Sequence, residues 1–180
     1  MTPIKLIGNG MNVAPLLWAL QAKPELWNQH TYRTENETSP HHGVDDIWVR
    51  CSEPFGVWNQ EPHDSVWYPS ASVLPVKELV YPLMQSVQGD RLGSILITRV
   101  LPGQSVKPHI DPGWHARFYK KFAIQVQSAP GQAFCFDDLS LSAKPGEVYF
   151  FDNSYSHWVT NDSKHDRITM IVCIKTDLEF

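Results

Sequence analysis

Residues 145–175 read PGEVYFFDNSYSHWVTNDSKHDRITMIVCIK, and their alternation of short β-rich runs with turn-forming clusters decides the fold class. The runs VYFF, HWVT and RITMIVCIK are separated by DNSYS and NDSKHD, where Asn, Asp and Ser supply the local hydrogen bonding that turns need. The last run alternates along its length. Ile168, Met170, Val172 and Ile174 project to one face, and Arg167, Thr169, Ile171 and Cys173 to the other. One face can pack a core while the other lines a cavity.

Working outward, the same texture begins near residue 94. SILITRV, KFAIQVQ and AFCF are punctuated by LPGQ, APGQ and KPGE, a spacing that predicts an antiparallel sandwich or barrel. The expected fold is therefore mainly β, a jelly-roll or cupin-like barrel over 94–176. Upstream the pattern changes. Residues 13–22 have helical composition, 29–46 read as a polar loop, and IWVRC at 47–51 is a short β-rich run. Residues 52–75 carry four prolines and read as a long ordered loop; 76–88 suggest a second helix, disturbed at Pro82. The whole chain, 1–180, is expected to be a single domain, with 1–93 supplying helical and loop support packed outside the barrel.

Bulk properties narrow the function classes. With 42 % hydrophobic and 19 % charged residues in 180, the chain can bury one substantial core. A net charge of −4 gives no basic footprint for nucleic acid. Cys51, Cys135 and Cys173 are far apart and form no CxxC pair, which argues against a disulfide framework or zinc ribbon. No apolar run is long enough to span a membrane. The opening MTPIKLIGNG has no basic segment leading into a long apolar stretch, so a cytoplasmic location is expected.

The sharpest chemical feature is Pro108-His109-Ile110-Asp111. In extended backbone, positions i and i+2 share a face, so His109 and Asp111 can converge on one ion. His157 follows 48 residues later, at the start of a strand-like run. Two imidazoles and one carboxylate on one side of a ferrous ion leave its other positions open for water, cosubstrate and dioxygen. Such ligands also suit zinc hydrolases, but no HExxH helix accompanies them. Arg167, ten residues after His157, presents a rigid fork of donors that can pair bidentately with a carboxylate. The remaining histidines (His30, His41, His42, His63, His115 and His165) sit in polar or loop-like contexts and read as structural or solvated, with His115 the strongest claimant among them.

The segments 95–111 (ILITRVLPGQSVKPHID) and 145–175 resemble the aspartyl/asparaginyl β-hydroxylase family of Fe(II)/2-oxoglutarate oxygenases, and the similarity covers roughly residues 90–177. The resemblance implies a double-stranded β-helix and the cofactors Fe(II) and 2-oxoglutarate, with dioxygen as co-reactant. It implies iron ligation by His109, Asp111 and His157, and anchoring of the 2-oxoglutarate carboxylate by Arg167 and Thr98. Many relatives carry Arg-x-His on the strand after the HxD, where this chain has Lys121-Phe122-Ala123. Ala123 cannot donate a hydrogen bond, and Gln125, with Gln127, is the expected replacement. Arg117 is a candidate for a substrate carboxylate. Trp48 and Arg50 are candidates for substrate contact at the barrel mouth, together with Trp58, Trp67 and Arg91. The activity implied is hydroxylation of an amino-acid side chain in a protein or peptide. The same chemistry on a free amino acid or other small metabolite is the first alternative, and a non-catalytic metal-binding cupin-like domain the second.

Overall fold

The computed structural model describes residues 2–52 and 62–180. Eleven strands are present among them: β1 (Ile4–Gly8), β2 (Asp45–Ser52), β3 (Ser65–Trp67), β4 (Arg91–Val100), β5 (Ser105–His109), β6 (Lys120–Gln127), β7 (Gln132–Phe136), β8 (Leu139–Leu141), β9 (Val148–Phe151), β10 (His157–Asn161) and β11 (Arg167–Lys175). Three α-helices accompany them: α1 (Ala14–Ala22), α2 (Lys77–Ser86) and α3 (Gly113–Phe118). A seven-stranded sheet runs in the order β1-β9-β6-β11-β4-β2-β3, and a four-stranded sheet in the order β5-β10-β7-β8. All the pairings are antiparallel. Two such sheets facing each other make the mainly β jelly-roll that the turn spacing predicts. No helix among the described residues is long and apolar enough to cross a membrane.

The alternation of β11 sorts its side chains between two environments. Ile168, Met170, Val172 and Ile174 lie in the main hydrophobic core, none more than 4 % exposed, against Leu16 and Leu20 of α1 and Leu79 and Leu83 of α2. Each such side chain removed from water contributes roughly 1.5–3 kcal/mol, so this layer clamps the helices to the outside of the large sheet. The other face of β11 (Arg167, Thr169, Ile171 and Cys173) lines a cavity between the sheets. Helix α2 continues through Pro82. The carbonyl that loses its helical partner belongs to Glu78, and both residues are exposed, so water can satisfy it.

The expected boundary at residue 93 does not divide support from barrel. β1, β2 and β3 all belong to the large sheet, and β4 begins at Arg91. β2 is drawn in because it is apolar on both sides: Ile47 and Val49 join the main core, while Trp48 packs with Cys51 and Leu96 on the opposite face. A strand with two buried faces has to lie within a sheet covered on both sides.

Candidate metal centre and its cavity

His109 closes β5 and His157 opens β10, and the two are direct cross-strand partners. Their rings lie 4.4 Å apart between centroids. Each Nδ1 donates to the backbone carbonyl two residues earlier, His109 to Lys107 at 2.8 Å and His157 to Tyr155 at 2.9 Å. That bond fixes the proton on Nδ1 and leaves each Nε2 with its lone pair directed at Asp111. Nε2 of His109 is 3.7 Å from Asp111 Oδ1, and Nε2 of His157 is 3.6 Å from Oδ2. Asp111 lies beyond the end of β5 but is tied down, its N–H donating to Asn153 O at 3.2 Å. The three ligand atoms all fall within 4.8 Å of one another.

Protonation suits a cation. Burial pushes the His157 imidazole down to about 4 and lowers His109 as well, so both are neutral near pH 7. Burial alone would raise the Asp111 carboxyl, but the charge of Lys121 and the hydrogen bond from its Nζ (2.6 Å) hold Asp111 below its ordinary value. Two neutral imidazoles and an ionised carboxylate are ready to coordinate without first losing protons. This donor set would hold a ferrous ion.

The cavity has a volume of about 390 Å³, the lower part of the range for small-molecule sites. Arg167 reaches into it from β11. Its side chain is buried, 6 % exposed, and its one hydrogen bond among the described residues runs from Nη1 to Thr169 Oγ1 at 2.7 Å. No described carboxylate pairs with it, and burial lowers its pKa to about 10. A buried cation without an anion is costly, and a ligand carboxylate would repair the deficit.

The other expected site residues fall in several places. Thr98 lines the cavity, but its hydroxyl donates to Asp46 Oδ1 (2.8 Å) and accepts from Arg33 Nη2 (2.8 Å). Gln125 shares the face of Ala123 yet lies one row deeper, behind Thr169. Its amide N donates to Gln127 O and Ile168 O, and its Oε1 accepts from the Thr169 hydroxyl at 3.2 Å. It does not line the cavity, so it buttresses Thr169 and cannot take the place of a ligand-facing side chain at Ala123. Gln127 is likewise committed, donating to Asp166 O.

The expected substrate residues that the structure describes do not line the cavity. Trp48 is 2 % exposed and packs near His30 and Tyr68. Arg50 donates to Leu92 O from both Nε and Nη2 and lies over the Trp67 ring. Both sit on the strand that the sheet draws inside, which removes them from a barrel mouth. Arg117 is exposed on α3 and lines an adjoining groove instead. Trp58 lies outside the described residues. His115 lines the cavity and is buried, with its Nε2 accepting from the Ser94 N–H, and burial lowers it to about 3.

Three cavity residues carry no recognisable signal in the sequence. Lys121 holds Asp111. Arg33 and His41 enter from the polar segment upstream of β2, and the His41 ring meets His109 at 4.9 Å between centroids. Burial and then the charge of Arg33 hold His41 well below its ordinary pKa, so its imidazole is neutral too.

A family model described as aspartyl/asparaginyl β-hydroxylase matches residues 70–176. The chain belongs to the aspartyl/asparaginyl β-hydroxylase family. It is accordingly an enzyme of the 2-oxoglutarate-dependent oxygenase class. Comparison with curated protein sequences gives no match. Among solved structures it is similar to a prolyl hydroxylase from Trichoplax adhaerens in complex with a hypoxia inducible factor oxygen degradation domain peptide fragment. That similarity has a TM-score of 0.63 at 10 % identity, covering 97 % of this chain and 84 % of that one. It is also similar to the viral collagen prolyl hydroxylase of Paramecium Bursaria Chlorella virus-1, with a TM-score of 0.58 at 12 % identity over 97 % of each chain. A 2OG-Fe(II) oxygenase family protein from Burkholderia pseudomallei gives 0.55 at 14 % identity, covering 75 % of this chain and 69 % of that one. At these identities the structural matches establish a shared fold. The family model covers β4 to β11 and stops short of Arg33, His41 and β2.

Proposed function

We propose that this β-hydroxylase family member hydroxylates a carbon of an amino-acid side chain within a protein or peptide, with Fe(II) held by His109, Asp111 and His157 and 2-oxoglutarate anchored by Arg167. The observation that carries this reading is the pairing of opposites in one cavity. A neutral-imidazole and carboxylate triad lines it together with a buried guanidinium that has no carboxylate partner among the described residues. A dianionic 2-oxo acid complements both, because its chelating end suits the metal and its distal carboxylate suits Arg167.

Iron(II) with 2-oxoglutarate and dioxygen would supply the oxidising power to place a hydroxyl on an unactivated C–H bond. The chain's own residues have narrower tasks. Lys107 and Tyr155 carbonyls hold the two imidazoles in the liganding tautomer. Lys121 keeps Asp111 ionised and oriented. Ile171, Phe134 and Phe151 give the cavity an apolar wall that limits water. A peptide substrate is favoured by family membership, and the peptide-bound hydroxylase that shares the fold agrees with it.

The reading is tested by adding Fe(II) and 2-oxoglutarate to the protein without oxygen and recording the visible metal-to-ligand charge-transfer band. A band that disappears in His157→Ala supports it, and its absence from the unmodified protein overturns it. Succinate release in a peptide-library screen, with mass spectrometry for one added oxygen atom, then identifies the substrate.

A further inference from the structure

A row of four polar side chains, one from each of four adjacent strands, runs across the large sheet, and its two inner members, Thr98 and Thr169, line the cavity. Gln125 on β6 pairs with Thr169 on β11, Thr169 with Thr98 on β4, and Thr98 with Asp46 on β2. Direct cross-strand partners have Cβ atoms roughly 5 Å apart, so the two threonine hydroxyls are neighbours. Each inner threonine does the same two things. Thr169 accepts from Arg167 and donates to Gln125, while Thr98 accepts from Arg33 and donates to Asp46. Two guanidiniums therefore converge on one pair of hydroxyls, and both line the cavity.

The outer members of the row differ in charge. Asp46, fully buried, takes Arg33 Nε at 2.5 Å and Nη2 at 2.9 Å. Gln125 is neutral and compensates nothing. Among the described residues the cluster thus holds two cations and one anion, all substantially buried, and is short by one negative charge. Arg33 Nη1 has no protein acceptor among the described residues, so this guanidinium keeps donors in reserve. A bidentate lock on a buried acid also removes the rotamer freedom that an arginine otherwise loses on binding.

We propose that Arg33 is a second positioning arginine for the distal carboxylate of the 2-oxo acid, acting with Arg167 across the Thr98–Thr169 pair. This rests on the reading of Arg167 as the cosubstrate anchor. Asp46 sets the stoichiometry, cancelling one of the two positive charges so that one carboxylate neutralises the cluster. The arm comes from upstream of residues 70–176, so the family's own segment supplies one guanidinium and the N-terminal segment of this chain the other.

Removing Arg33 alone would strand Asp46 as a buried unpaired acid, so the main variant replaces both, Arg33→Met with Asp46→Leu, and Arg33→Lys is the companion. The charge-transfer titration is run without oxygen with two ligands: 2-oxoglutarate, and 2-oxovalerate, which keeps the chelating end and ends in a methyl group. Loss of a charged hydrogen-bonding partner predicts that the double variant binds 2-oxoglutarate on the order of tenfold to a hundredfold more weakly. Its affinity for 2-oxovalerate should change by less than about twofold, since no distal charge is involved. Arg33→Lys should fall between the unmodified protein and the double variant for 2-oxoglutarate alone. Unchanged 2-oxoglutarate affinity in the double variant overturns the proposal, and so does an equal loss for both ligands, which would mark Arg33 as a purely structural residue. If the unmodified protein forms no band with 2-oxoglutarate, the cosubstrate reading itself fails and this inference falls with it.

Discussion

His109 and His157 are partners across the β5–β10 ladder, and each has its Nδ1 proton held by the carbonyl two residues before it. The same geometry at the end of one strand and the start of its neighbour places both lone pairs on one carboxylate. The site is therefore built before any ion arrives, and a cation that binds only the folded state must stabilise it. Mn(II) at about a hundred times its dissociation constant should add roughly 2.7 kcal/mol to unfolding, visible as a rise in Tm. His157→Ala should abolish that rise. An equal rise in the variant would place the ion elsewhere.

Arg167 invites a less obvious expectation, because it is a liability in the ligand-free protein. Its guanidinium is buried, with Thr169 as its hydrogen-bond partner and no acid paired with it among the described residues. Arg167→Met should leave the ligand-free Tm unchanged or raise it, since exchanging an uncompensated buried charge for an apolar side chain is neutral or favourable. The same variant should need on the order of a hundredfold more 2-oxoglutarate for half-maximal band formation. A clear drop in Tm would show that the arginine serves the fold and not the ligand.

These residues also show how far the sequence can be read. The barrel and the triad were legible because they follow from local rules: turn chemistry at regular intervals, period-two alternation, and an HxD whose two ends share a face. Depth was not legible. Alternation puts Gln125 on the cavity face of β6 but does not say that Thr169 stands in front of it. Trp48 and Arg50 read as a barrel mouth because Trp and Arg are the residue types that clamp substrate groups, whereas pairing with β4 carries their strand into the sheet. Arg33 and His41 lie in a polar stretch with no periodicity. Their place at the cavity depends on a long-range pairing, Arg33 with Asp46, that no local pattern encodes.

Gln125 should behave as a positioning residue. Its amide bridges two backbone carbonyls and the Thr169 hydroxyl that receives Arg167. Gln125→Leu removes the donor to two backbone carbonyls and the acceptor for Thr169, and should destabilise the protein by about 1–3 kcal/mol. It should raise the 2-oxoglutarate requirement several-fold while leaving Mn(II) affinity intact, because the amide touches no metal ligand. Gln125→Glu supplies a check with a sign: a carboxylate behind Thr169 would compensate Arg167 and weaken cosubstrate binding, although it loses the same two amide donations and so shares the stability cost. Tighter 2-oxoglutarate binding in that variant would contradict the charge accounting of the whole cluster.

His115 makes the metal-free protein acid-sensitive. Burial lowers its imidazole from 6.5 to about 3, and Nε2 is already occupied as an acceptor for the Ser94 N–H. The unfolded chain takes up a proton below about pH 6.5, while the folded chain resists until about pH 3. Between those values unfolding is coupled to proton uptake, so stability falls as pH falls. The slope should reach about 1.4 kcal/mol per pH unit for this group once pH is well inside that window. His115→Gln retains an acceptor for Ser94 and does not titrate, so urea unfolding of the metal-free variant should show a shallower loss from pH 6.5 to 4.5 than the unmodified protein. Identical slopes would mean that His115 gains its proton without opening the fold, and that acid sensitivity arises from other groups.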